Sequence, residues 1–81
     1  MREELLDLLE TTCPKIDFEN EEALIDDGLL DSYAVLSIIA AISEKYDVEF
    51  DADDVLPETL NNLDCICTLV QTLLDRKANA Q

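Results

Sequence analysis

The sequence predicts an all-α protein, a small bundle of three main helices plus one short helix. Three stretches of apolar residues recur at the three- and four-residue spacing of a helix face, and no stretch alternates apolar and polar residues as a strand would. Eighty-one residues suffice for one small domain, and an apolar content of 48% supports a folded core despite a formal net charge of -15. We therefore expect a single domain over residues 1–81, with an ordered core at about 3–76 and a frayed tail at 77–81.

The first predicted helix covers about Glu3 to Thr12, where leucines recur at helical spacing before Pro14. The next helical pattern begins only at Ser32, so a long connection separates the two helices. A connection of that length in a small domain is usually either functional or wrongly assigned. We expect four of its apolar side chains to fix it to the core: Ile16, Phe18, Leu24 and Ile25.

The second helix is predicted from Ser32 to about Tyr46 and has two apolar stripes. The first stripe has the spacing of a core face and consists of Val35, Ile38, Ile39, Ile42 and Tyr46. The second stripe, Tyr33, Leu36 and Ala40, lies on another side of the helix. The first half of this helix is therefore apolar over more of its circumference than one core can use.

An acid-rich connection follows, with one short helical turn predicted around Asp53 to Leu56 and ended by Pro57. The side chains expected to anchor it are Val48, Phe50, Val55 and Leu60. The last helix is predicted to begin after Asn61, which can cap it, and to continue to about Arg76. Its expected buried stripe is Leu63, Ile66, Cys67, Val70, Leu73 and Leu74.

Charge and composition exclude several classes of partner. Twenty acidic residues against five basic ones create a negative field that repels nucleic acid phosphates and anionic lipid headgroups. The N-terminus has acids among its leucines and so does not resemble a signal peptide, and no apolar stretch approaches the length of a membrane span. We expect a cytoplasmic monomer with no nucleic acid partner and no membrane insertion.

The cysteines do not predict a metal site or a disulfide framework. Three thiols cannot all pair within one chain, so reduced cysteines are the simplest interpretation. Cys65 and Cys67 are two residues apart on a predicted helix and therefore point to different sides, which does not suit one metal ion. We expect no metal, and Cys67 at least is expected to act as a small buried apolar residue.

Catalysis is also disfavoured, because the chain has no histidine and no residue obviously placed to activate Ser32. We therefore expect no catalytic residues.

A calcium-binding loop at 47–58 is a further hypothesis, since acids occupy positions 1, 3, 5, 7 and 12 of this twelve-residue segment. Ala52 stands where the loop requires glycine, and Pro57 directly precedes the last acid.

The stretch "IDDGLLDSYAV" at 25–35 contains the one glycine of the chain. Gly28 can adopt a left-handed turn, Leu29 and Leu30 can enter the core, and Asp31 can cap the second helix. Ser32 would then point outward from the first helical turn. A cap explains the aspartate but not the apolar stripe beside the serine.

The segment "DDGLLDSYAVLSIIAAISEKYDVEF" resembles the attachment region of acyl and peptidyl carrier proteins, whose motif is D-x-G-[LF]-[LD]-D-S-[LMF]. The resemblance implies an acyl-carrier-like bundle in which Ser32 bears 4'-phosphopantetheine taken from coenzyme A. It also implies that Asp31 is the acid read by the transferase and that Gly28 is the turn glycine. The implied docking face for partner enzymes is Tyr33, Leu36, Ser37 and Ala40.

The type of carrier is indicated by two further features. "LPETLNNLDCICTLV" is similar to the P-E-[DN]-F-x-[ST]-[IL] pattern of aminoacyl and D-alanyl carriers, although Leu60 replaces the phenylalanine. Fatty-acid-type carriers usually have acids just after the serine, where this chain has Ala34 and Ser37. The resemblance therefore favours an amino acid or a specialised acyl cargo.

The resemblance implies a stand-alone acyl or aminoacyl carrier whose prosthetic thiol holds the cargo as a thioester. Its implied partners are a phosphopantetheinyl transferase, an adenylating acyl or amino-acid ligase and downstream acyl-transferring enzymes. The alternative is an unmodified acidic helical interaction module, in which the apolar stripe binds a partner helix and Ser32 is only structural.

Overall fold

The computed structural model of the protein describes residues 1–79. Over that range it contains four α-helices and no strand: α1 (Arg2–Thr12), α2 (Ser32–Tyr46), α3 (Pro57–Leu60) and α4 (Leu63–Asn79). A single 3-10 turn, Ala52–Asp54, precedes α3. The predicted all-α bundle of three main helices and one short helix is confirmed.

The core lies between α1, α2 and α4, with α3 packed against α4. Helices α1 and α4 bury side chains of the stripes that their spacing predicts, and Leu69 adds one that the spacing did not identify. Of the predicted α2 stripe, Ile38 and Ile42 are buried. Cys67 and Leu74 are half-buried against the core. Burial of these stripes away from water supplies the main drive for folding of so acidic a chain.

Both connections are fixed to the core by apolar side chains, as predicted. Phe18 and Leu24 in the first connection are fully buried, and Val48 in the second is nearly so. The expectation that Leu29 and Leu30 both enter the core is half wrong. Leu30 is buried, whereas Leu29 is 42% exposed. Adjacent side chains outside a helix face different sides, so the segment brings one of the two leucines to the core.

Two details around α3 differ from the prediction. The predicted turn at Asp53 to Leu56 is instead the 3-10 turn at Ala52–Asp54, and Pro57 begins α3 rather than ending a helix. Proline is well suited to the first helical position because its missing N–H has no helical partner there. This accounts for the error, since the same residue can stop one helix and start the next.

The N-terminal cap of α4 is Asn62, not Asn61. The Asn62 side-chain oxygen accepts a hydrogen bond from the Cys65 backbone N–H at 2.8 Å. Two adjacent asparagines are equally good caps in sequence, so only the position of the helix start distinguishes them. At its other end α4 continues past Arg76 to Asn79, and residues 80 and 81 of the tail expected to fray lie outside the described residues.

An ion pair attaches the second connection to the end of α4. Arg76 donates to both carboxylate oxygens of Asp54, at 2.9 and 3.1 Å, and Asp54 also accepts from the Asp51 backbone N–H at 2.8 Å. Hydrogen bonding from Arg76 first, and from the Asp51 backbone second, lowers the pKa of Asp54, which is nearly buried. Lys77 contacts Asp47 at 3.1 Å nearby.

Candidate functional site

The first turn of α2 is arranged as its sequence predicts. Asp31 has extended backbone angles, and its carboxylate accepts a hydrogen bond from the Ala34 N–H at 2.8 Å. Ser32 is therefore the first helical residue, and its side chain is exposed. None of the side-chain hydrogen bonds found among residues 1–79 uses the Ser32 hydroxyl, which leaves that oxygen open to solvent.

The turn in front of Asp31 requires its glycine. Gly28 has a φ of 75°, in the left-handed region that side chains disfavour, and it donates to the Ile25 carbonyl at 3.0 Å. Nothing lies within 4 Å of the position that a Cβ would take, so the requirement comes from the backbone angle and not from crowding. Two more hydrogen bonds stabilise the turn: the Leu24 carbonyl accepts from the N–H groups of Leu29 and Leu30.

Asn61 joins this turn to the junction between α3 and α4. Its side-chain oxygen accepts from the Ile25 N–H at 2.9 Å and from the Asp26 N–H at 3.2 Å. Its side-chain nitrogen donates to the Asp26 carboxylate at 2.9 Å, and its own carbonyl accepts from the Leu24 N–H at 2.6 Å. Sequence reasoning missed this residue, since an asparagine beside a helix start is first interpreted as a cap.

An exposed apolar surface lies along α2 after Ser32. The side chains of Tyr33 and Leu36 are 81% and 66% exposed, and Ala40 is exposed beside them, so the second stripe faces solvent as its position predicts. Ser37 is half-buried. We call Tyr33, Leu36, Ser37 and Ala40 the α2 face.

Ile39 is the one member of the predicted core stripe that the structure assigns elsewhere. It is half-buried, and it is not among the side chains within residues 1–79 that pack against the core. Ile38 and Ile42 fill the core positions on this helix instead. The four-residue step between them brings both to the same side, while Ile39 is rotated by about 100° from Ile38 and borders the α2 face.

Two of the three cysteines have thiols whose pKa is raised. Cys13 lies within electrostatic range of Asp31, and burial chiefly, with the charge of Asp31 second, raises the pKa of its thiol. Burial also raises the pKa of Cys67. Both thiols are therefore protonated and weakly nucleophilic at neutral pH, and all three cysteines are free.

The acidic segment at 47–58 does not form a cation site in the structure. Among the described residues, no three Cys, Asp or Glu side chains converge as a metal ion would require. Asp47 and Asp54 instead contact Lys77 and Arg76. These pairings disfavour the calcium hypothesis, because they occupy carboxylates within that segment.

An open groove of about 370 Å³ lies elsewhere, between the 3-10 turn, α3 and α4. Its lining includes Asp53, Glu58, Cys65, Thr68 and Thr72. None of the residues predicted for the functional site lines it.

Along residues 1–79, no helix combines the length and the apolar character needed to cross a membrane.

Curated proteins similar to this chain include D-alanyl carrier proteins. One from Bacillus cereus (strain B4264) is 38% identical over 55 residues, which cover 65% of this chain and 70% of the relative. Those of Bacillus cereus (strain AH187) and Bacillus anthracis (strain CDC 684 / NRRL 3495) match with the same identity and coverage. No protein-family profile and no solved structure matches the chain.

Proposed function

Because the chain belongs to the carrier protein family, in its D-alanyl carrier type, we propose that it carries an acyl cargo on a 4'-phosphopantetheine group attached to Ser32. Carrier proteins are not themselves enzymes, and the protein works with partner enzymes. The observation that carries the proposal is the position of Ser32, an exposed serine with an unengaged hydroxyl at the first residue of α2.

The residues around Ser32 fit such a group. Its hydroxyl would form a phosphodiester with the phosphopantetheine phosphate of coenzyme A, releasing adenosine 3',5'-bisphosphate, in a reaction catalysed by a separate transferase. At a helix N-terminus the first N–H groups lack helical partners and the dipole favours negative charge, which suits a phosphate. Asp31 already satisfies the Ala34 N–H, so the N–H groups of Ser32 and Tyr33 remain for that phosphate.

The α2 face would receive the partner enzymes. Tyr33 and Leu36 are large apolar side chains exposed directly after the attachment residue, and exposed residues of that size beside each other favour a contact surface. With Ala34 and Ser37 in place of acids, contact there would be mainly apolar. The charge of -15 would act at longer range and speed encounter with basic partners more than it prolongs binding.

We propose an aminoacyl cargo, with a D-alanyl group as the first candidate, since the named relatives are D-alanyl carrier proteins. When bound, the prosthetic group would supply the thiol that holds this cargo as a thioester. An adenylating ligase would load it and an acyl-transferring enzyme would remove it. This chain would keep the cargo at high effective concentration beside the docked enzyme.

The three free cysteines favour a cytoplasmic location, where thiols are kept reduced.

The test is to incubate the purified chain with coenzyme A and a broad-specificity phosphopantetheinyl transferase and to weigh the intact product. We expect the mass to rise by one phosphopantetheine group in the natural chain and not in Ser32→Ala. Ser43→Ala, which changes a serine at the other end of α2, is the matched control and should be modified normally. No gain in mass, or a gain that survives Ser32→Ala, would contradict the proposal.

An unmodified interaction module remains the second candidate, favoured by the exposure of Tyr33 and Leu36. It predicts that a partner binds the apo chain and that Ser32→Ala binds equally well. The carrier proposal predicts that cargo transfer by any partner is lost in Ser32→Ala. Loading the modified chain with D-alanine and measuring transfer therefore distinguishes the two.

A further inference from the structure

The side chain of Asn61, in the α3–α4 junction, binds the exposed part of the loop that leads into Ser32. From the geometry of Asn61 we infer that it is a positioning residue: it holds the turn at 24–30 so that the Ser32 hydroxyl is presented in one orientation to the transferase. This inference rests on the proposed attachment at Ser32. It adds a role for a residue in the α3–α4 junction, 29 positions away along the chain.

Asn61 uses every polar group of its side chain on this turn. The amide oxygen accepts two backbone N–H groups, those of Ile25 and Asp26, while the amide nitrogen donates to the Asp26 carboxylate. The Asn61 carbonyl accepts a third backbone N–H, from Leu24. Four hydrogen bonds to three consecutive residues fix both the position and the direction of the chain there.

The remaining hydrogen bonds of the turn are internal to it. Gly28 donates to Ile25, and Leu29 and Leu30 donate to Leu24, so these bonds hold the shape of the turn without attaching it to a helix. Leu24 and Leu30 are buried and remain anchored in the core, but residues 26–29 are exposed. Without the Asn61 side chain, this exposed part of the turn would be free to move as a unit about Gly28, directly in front of Asp31 and Ser32.

The α2 face does not depend on Asn61. Tyr33, Leu36 and Ala40 stand on a helix whose other side is buried in the core, whereas Ser32 is the first residue of that helix and directly follows the turn and Asp31. Loss of the Asn61 side-chain hydrogen bonds should therefore leave docking of the transferase intact. It should lower the fraction of encounters in which the Ser32 hydroxyl is aligned for attack. Small misplacements of a reacting group reduce rates strongly, by up to about a hundredfold for 1 Å.

The first experiment compares transferase kinetics of Asn61→Ala with those of the natural chain, with the carrier as the varied substrate. We expect kcat to fall by about tenfold while the KM for the carrier changes by less than about twofold. Asn62→Ala is the matched control, because it removes a neighbouring asparagine and weakens the α4 cap without touching the turn. It should lower the thermal midpoint yet leave kcat unchanged.

A second experiment restores the hydrogen bond between the side chains at positions 61 and 26 with the amide and the carboxylate exchanged. Asn61→Asp alone keeps an acceptor for the two N–H groups but sets two carboxylates against each other, so its kcat at neutral pH should fall as in Asn61→Ala. Adding Asp26→Asn supplies an amide donor at position 26 to the carboxylate at position 61. The double variant should recover most of the lost kcat, which a general loss of stability would not explain.

Hydrogen exchange provides a readout that does not involve the transferase. In Asn61→Ala the amides of Ile25 and Asp26 should exchange faster, while those of the buried part of α2 keep their protection. The inference is overturned if Asn61→Ala is modified at the natural rate, if Asn62→Ala loses as much kcat, or if the reversed pair restores nothing. Failure of the natural chain to be modified would instead overturn the proposed function on which the inference rests.

Discussion

The two connections of this chain are attached near opposite ends of α4 by different chemistry. The first connection, in front of α2, is held beside the start of α4 by the neutral amide of Asn61. The second, after α2, is held at the end of α4 by the ion pair of Arg76 with Asp54. The first attachment depends on the position of one amide, and the second depends on charge.

This difference matters in so acidic a chain. Within residues 1–79, three of the five basic residues form ion pairs: Arg2 with Asp64, Arg76 with Asp51 and Asp54, and Lys77 with Asp47. No lysine or arginine occurs between Lys15 and Lys45, the stretch that contains Ser32. The segment that contains Ser32 therefore carries no positive charge of its own, and its negative field would attract basic partners.

The largest effect that separates the two connections should come from their phenylalanines. Phe18 is fully buried in the first connection, whereas Phe50 is half-buried in the second. We expect Phe18→Ala to lower the free energy of unfolding by about 3–5 kcal/mol, a loss comparable with the whole stability of a small domain. Phe50→Ala should cost clearly less. Urea denaturation of both variants measures this, and equal losses would show that the second connection is as deeply anchored as the first.

The next largest effect should come from the charged attachment and should depend on pH. Because the pKa of Asp54 is lowered in the folded protein, its carboxylate stabilises the fold above the ordinary aspartate pKa of about 3.9. That contribution is lost as pH falls through the lowered native pKa. We expect Asp54→Asn to cost about 1–2 kcal/mol at pH 7, and the difference from the natural chain to vanish in acid.

Asp51→Asn is the control for that prediction, since Asp51 is largely exposed and its carboxylate lies 3.3 Å from Arg76. It should change stability little at pH 7. The prediction fails if denaturation curves of Asp54→Asn and the natural chain stay equally far apart from pH 7 to pH 3.

A smaller effect is expected at the glycine of the first connection. Gly28 has a φ of 75° and open space where a Cβ would stand, so Gly28→Ala introduces backbone strain without a clash. We expect a loss of about 1 kcal/mol, and a smaller loss for Gly28→Asn, because asparagine tolerates the left-handed region. Thermal unfolding of the two variants tests this order, and an alanine variant as stable as the asparagine one would contradict it.

The smallest effect should come from Tyr46, where α2 meets the second connection. Its hydroxyl is buried and, within the described residues, has no hydrogen-bond partner. Removing an unsatisfied buried polar group relieves its desolvation cost, so Tyr46→Phe should be neutral or stabilising by up to about 1 kcal/mol. A measured loss of stability would indicate that this hydroxyl is hydrogen-bonded in solution.

Much of the site was predictable because it depends on neighbours in sequence. The cap at Asp31, the left-handed turn at Gly28 and the exposed stripe of Tyr33 and Leu36 follow from local geometry and helical spacing. Ile39 was misassigned, since two stripes share one helix and spacing alone does not say which apolar side chain the other helices cover.

The sequence by itself therefore determined the helical class, the main helices and the outward serine, all of which rest on contacts within a few residues. Only the tertiary structure decided that Asn62 caps α4 and that Asn61 hydrogen-bonds to the loop before Ser32. It likewise decided that Asp54, among the several acids of that connection, is the one that Arg76 holds with two hydrogen bonds. These choices depend on groups more than about 20 residues apart, whose meeting is set by how the helices pack and not by any local preference.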